Sequence, residues 1–128
     1  MHKRVAFAFG LLSVAAIAPA YAGYKGNTGV YLDVANRQGV ASLADTRDDG
    51  TPSNWVSIKV ERSASIYSGS VTFKVGQATG GCFTSDAASV QILASAPSDA
   101  VVSVQWDANG QCTSVLVRNS SYNAPKTP

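Results

Sequence analysis

The sequence predicts a β-rich α+β fold for residues 23–118. Three observations point to it. Several segments alternate apolar and polar residues with period two, the pattern of a half-buried strand. An Asn109-Gly110 turn signal separates the last two of these segments. One alanine-rich stretch after Cys82 carries helix-capping residues and ends at Pro97.

The elements follow in chain order. In residues 28–35, Val30, Leu32 and Val34 take one face, and Tyr31 and Asp33 the other, which predicts a strand. Residues 36–39 read as a turn, and residues 40–44 as a second short strand. Residues 45–54 read as a loop: three Asp, Gly50 and Pro52 stand there with no large apolar side chain. Residues 55–62 alternate again, with Val56, Ile58 and Val60 on one face and Trp55, Ser57, Lys59 and Glu61 on the other. Residues 63–70 read as a connection. Residues 71–75 read as a strand with Val71, Phe73 and Val75 inward, and the glycines of 76–81 as its end.

Residues 84–96 fit two patterns. Thr84 or Ser85 can cap a helix, Asp86 suits its positive end, and Ala87, Val90 and Ala94 form one stripe. Val90 and Ile92 also alternate as a strand would, but the alanines favour a short helix. Residues 101–106 and 111–118 then form a hairpin on a two-residue Asn109-Gly110 loop. Its register sets Trp106 opposite Thr113, Val104 opposite Val115 and Val102 opposite Val117. Residues 119–128 have little to bury and read as a flexible tail.

Residues 1–22 read as a secretory leader. Lys3 and Arg4 give a positive start, residues 6–16 are apolar except for Gly10 and Ser13, and Ala20-Tyr21-Ala22 is a small-x-small cleavage site. The apolar run is shorter than the ~20 residues a spanning helix needs, and no second run follows, so no membrane insertion is expected after cleavage. A periplasmic or secreted protein results. The net charge of +2 belongs to Lys3 and Arg4; the remainder is neutral, with dispersed charges and no footprint for nucleic acid. In an oxidising compartment Cys82 and Cys112 have one way to pair, which predicts a disulfide.

Cleavage also removes His2, the one histidine, so no Ser-His or Cys-His nucleophile is available. Paired cysteines close thiolate chemistry and Cys-zinc sites as well. No cofactor and no metal site is expected. Asp45, Asp48 and Asp49 beside Gly50 suggest calcium ligands, but their spacing is not that of an EF-hand and Arg47 sits among them, so a solubilising turn is the plainer reading. Glu61, the single Glu, lies on a polar strand face between Lys59 and Arg62.

The segment VTFKV, Cys82, DAASVQILASA, AVVSVQW and Cys112 resembles a group of small exported bacterial proteins of unknown function. More distantly it is similar to the B subunits of AB5 toxins. The resemblance covers less than half of residues 23–128. It implies an OB-like small barrel or a strongly curved antiparallel sheet over one helix; a β-sandwich without a helix follows if residues 84–96 are a strand. Its implied function is glycan binding by an oligomer, which one fold alone does not establish.

These features predict a non-enzymatic binding or interaction protein whose partner is a glycan or another protein. Tyr31 and Trp55, as aromatics on polar strand faces, and Asp45, Asp48 and Asp49 of the loop are the candidate contact residues. A small hydrolase using Glu61 and an Asp across a cleft is the competing reading, and a ligand-free structural envelope protein is the third. An open sheet edge would invite pairing with a second copy.

Overall fold

The alternating segments become seven strands, arranged in two antiparallel sheets with two short helices. The computed structural model describes residues 29–119. The expected leader at 1–22 and all but the first residue of the expected tail lie outside this range. The four-stranded sheet contains β1 (Val30–Asp33), β2 (Gln38–Ser42), β6 (Val101–Trp106) and β7 (Cys112–Arg118), in the order β1-β2-β6-β7. The three-stranded sheet contains β3 (Trp55–Arg62), β4 (Tyr67–Val75) and β5 (Ala78–Thr84), in the order β3-β4-β5.

The inner faces of the two sheets meet in one apolar cluster. Ala41, Val102 and Val104 come from the first sheet, and Val71, Phe73 and Cys82 from the second. Leu32, Val56, Ile58 and Trp106 pack around them, as the period-two pattern of their strands requires. Helix α2 (Ala87–Ala94) lies against β3, β4 and β7.

The sheets do not close into a barrel. On one side they are joined by a single parallel bridge between Phe83 and Gln111, in which the Phe83 N–H donates to the Gly110 carbonyl at 2.9 Å. The Cys82–Cys112 disulfide stands at the same place, with a Cα–Cα distance of 5.0 Å. On the other side, no ladder joins β1 to β3 among the described residues. The helix-free sandwich is not formed either, because α2 is present. Its N-cap is Asp86, one or two residues later than expected, whose carboxylate accepts from the Ser89 N–H at 2.8 Å. The buried stripe is Val90 and Leu93, while Ala87 and Ala94 are exposed.

Five other local expectations are corrected. Helix α1 (Leu43–Asp48) occupies the start of the expected 45–54 loop. Buried Ser42 caps it by accepting from the Asp45 N–H at 3.2 Å, so Ser-x-x-Asp acts as a helix start rather than as loop composition. The first turn occupies residues 34–37 with Arg37 at φ 53°, and Gly39 belongs to β2. A side chain at Gly39 is excluded by packing, since a Cβ there would stand 2.6 Å from the buried Phe73 ring of the opposite sheet.

Ser68 and Ser70 of the expected connection, and Gly80 and Gly81 of the expected strand end, also enter strands. β4 begins at Tyr67 because the whole length of β3 pairs with it, to Arg62↔Tyr67. A two-residue turn at Gly76-Gln77, with Gly76 at φ 60°, starts β5 directly. In the last hairpin Val104↔Val115 and Val102↔Val117 pair as expected, but a bulge sets Trp106 opposite Cys112. The Asp107 carboxylate accepts from the N–H groups of Asn109 and Gln111, and Gly110 alone takes positive φ, 77°. That local bonding favours a three-residue loop with a glycine bulge over the two-residue turn.

Replacing Gly39 with Ala is expected to destabilise the fold by about 2 kcal/mol, read from urea unfolding midpoints, because the ring of Phe73 has nowhere to retreat. Replacing Cys82 and Cys112 together with Ala is expected to cost roughly 3–4 kcal/mol for the opened loop.

Candidate functional site

The outer face of the three-stranded sheet carries an exposed aromatic ring between two hollows. Cross-strand pairing arranges its side chains in rows: Trp55, Lys74 and Thr79; Ser57, Thr72 and Gly81; Lys59, Ser70 and Phe83; then Glu61 and Ser68. The inward partners of these residues fill the core, so alternation forces the rows outward. Cys82 is buried, and its neighbour Phe83 is consequently turned to solvent and 50% exposed.

Phe83 divides the face into two shallow hollows. One, of about 200 Å³, is lined by Lys59, Glu61, Ser68, Gly69, Ser70 and Phe83. The other, of about 350 Å³, is bordered by Ser70, Thr72, Thr79, Gly81, Phe83 and Gly110. Gly81 keeps its floor low; a Cβ there would run into the Val71 carbonyl. At the rim, Lys59 Nζ and Glu61 Oε2 stand 3.1 Å apart. An apolar ring flanked by hydroxyl groups and one ion pair can stack on a flat ligand while hydrogen-bonding its edges.

The sequence-predicted residues do not converge. Trp55 sits at the corner of this face, opposite Lys74. Tyr31 projects from the outer face of the other sheet, since its neighbours Val30 and Leu32 pack against the shared core. Its hydroxyl donates to Asp33 Oδ2 at 3.4 Å. Asp45 and Asp48 lie on α1 and Asp49 is its C-cap; Asp48 is 3.9 Å from Arg47 Nε. Among the described residues no group of three or more His, Cys, Asp or Glu side chains gathers as metal ligands. Phe83, Ser68 and Ser70 escape the sequence reading because their segments look like connections. The signal for Phe83 is its place next to a cysteine that a disulfide must bury.

Two carboxylates are held below their ordinary range. Asn36 lowers Asp33 with its side-chain amide at 2.7 Å and its backbone N–H at 3.0 Å, and the Tyr31 hydroxyl adds to this. The Ser89 backbone N–H, then its hydroxyl, lowers Asp86. No known family, curated protein or solved structure matches the chain.

Both shifts favour the ionised form in the folded state, so the stability they contribute is present above the ordinary carboxylate value and is lost as pH falls through the lowered ones. Urea midpoints are expected to be level above about pH 5 and to drop below about pH 4. Asp33→Asn and Asp86→Asn together should flatten that drop.

Proposed function

We propose that the chain is an exported, non-enzymatic binding protein that receives a carbohydrate on the outer face of β3, β4 and β5. The observation that carries this reading is Phe83, half-exposed between two hydroxyl-lined hollows. Large aromatic rings are ordinarily buried, and one held outward on a rigid strand offers a stacking platform at little entropic cost. A pyranose ring has an apolar face to set on Phe83 and hydroxyl groups at its edge to meet Ser70, Thr72 and Thr79.

The exported half of the reading rests on the leader pattern of residues 1–22 and on the Cys82–Cys112 bridge, which suits an oxidising compartment. Among the described residues no helix is long and apolar enough to cross a membrane. Glu61 has Lys59 as its ion-pair partner, an arrangement of a polar rim rather than of an acid–base pair.

A glycan array probed with the exported protein is expected to give positive spots. Phe83→Ala should weaken binding to the best of them about tenfold or more, and Tyr31→Ala should leave it unchanged. An array blank at every spot would overturn the reading.

A further inference from the structure

The outer edge of β3 is open. β3 pairs only with β4, and among the described residues no other backbone hydrogen bond reaches residues 55–62. Every second residue of its eight turns its N–H and C=O groups away from β4, a row of unpaired groups that is a template for another strand. On the inner side of the same strand lies a groove of about 450 Å³ lined by Leu43, Ile58, Val60, Leu93, Ala94 and Ala96. Val60, at its rim, is 37% exposed although it belongs to the apolar face.

We propose that a second copy of this chain occupies this edge, β3 pairing antiparallel with β3 of the other copy about a two-fold axis through Val60, so that the two three-stranded sheets become one of six strands. Charge decides both the partner and the register. A two-fold axis normal to the sheet keeps outer faces together and inner faces together, so opposed residues belong to the same face. Centring the pair on Lys59 sets Lys59 against its own copy. Centring it on Ile58 leaves Lys59 opposite Ser57 and Glu61 opposite Trp55. Centring it on Val60 sets each Lys59 opposite Glu61 of the second copy, twice by symmetry.

With the ion pair already within each strand, four charges of alternating sign then form a closed ring on the outer face. On the inner face Val60 meets Val60, which brings the two apolar grooves edge to edge. Ile58 faces Arg62, whose guanidinium lies 5.9 Å from the centre of the Tyr67 ring and whose stem can cover it. The pairing stands independently of the carbohydrate reading.

Light scattering after size exclusion of the exported protein tests it. The wild type is expected to be a dimer at high concentration. Lys59→Glu places carboxylates opposite carboxylates, and Glu61→Lys places ammonium groups opposite ammonium groups. Each alone should raise the dimer dissociation constant about tenfold or more. Mixing the two variants should restore a dimer, since every opposed pair is then of opposite sign. No effect within a single chain can produce that rescue. Both substitutions are on exposed side chains, and circular dichroism of each variant should match the wild type.

A wild type that stays monomeric up to its solubility overturns the proposal. So do single variants that dimerise as the wild type does, or a mixture that remains monomeric. Slow exchange, in a monomer, of the alternate amides of residues 55–62 that point away from β4 would assign the edge to the chain's own residues outside 29–119, and would overturn it equally.

Discussion

The structure depends on the clasp where β5 meets β7. Each sheet has its own hydrogen-bond ladder, and nothing in either ladder holds the other. Among the described residues the Cys82–Cys112 bond and the Phe83 N–H to Gly110 carbonyl contact are the one covalent cross-link and the one backbone hydrogen bond between the two sheets. They lie next to each other in both strands, so the cross-link and the hydrogen bond fix the same orientation. The loop closed by the bridge contains α2 and β6, and the cross-link thereby restrains the elements that complete the core.

With the sheets joined at that point, their inner faces approach until side chains set the distance. Two glycines determine how near they come. Gly39 receives the Phe73 ring, and Gly80 lies beneath Leu32 and Trp106, whose atoms would stand 3.0 and 3.2 Å from a Cβ there. The rings of Phe73 and Trp106 thus each lie over a glycine of the opposite sheet as well as among the core side chains. This explains why glycine occurs inside strands where it is locally unfavourable.

Much of this was legible where a segment's own pattern agreed with its environment. β3 and β6 run over the expected residues because their alternation is unbroken, and α2 has a cap, an alanine-rich body and a proline stop. The valine pairs of the last hairpin follow from the same alternation, and the pairing of the cysteines from there being two of them with one way to join. What escaped is determined across the fold. Ser68 and Ser70 are strand residues because β3 continues beside them, and Gly80 and Gly81 because β4 and the rings above demand thin backbone. α1 was missed for a different reason: its capping signal was local, but aspartates and glycine masked it. The candidate face was half visible. Trp55 was placed on it, whereas Phe83 required knowing that β5 exists. Tyr31 and Trp55 share a polar pattern yet lie on opposite sides of the molecule, since alternation names a face of one strand and not of the whole.

The order of pairing has a consequence for how the chain comes together. β3, β4 and β5 are consecutive and can assemble from neighbours alone, whereas β2 must wait for β6, with Gln38 meeting Gln105 across most of the domain. Long loops must be closed before such contacts return anything. The N-terminal strands therefore have no finished sheet to join until the penultimate strand is available. A chain ending before Val101 holds the β1-β2 hairpin and the β3-β4-β5 meander but lacks β6, the strand that seats the first hairpin in its sheet beside β7.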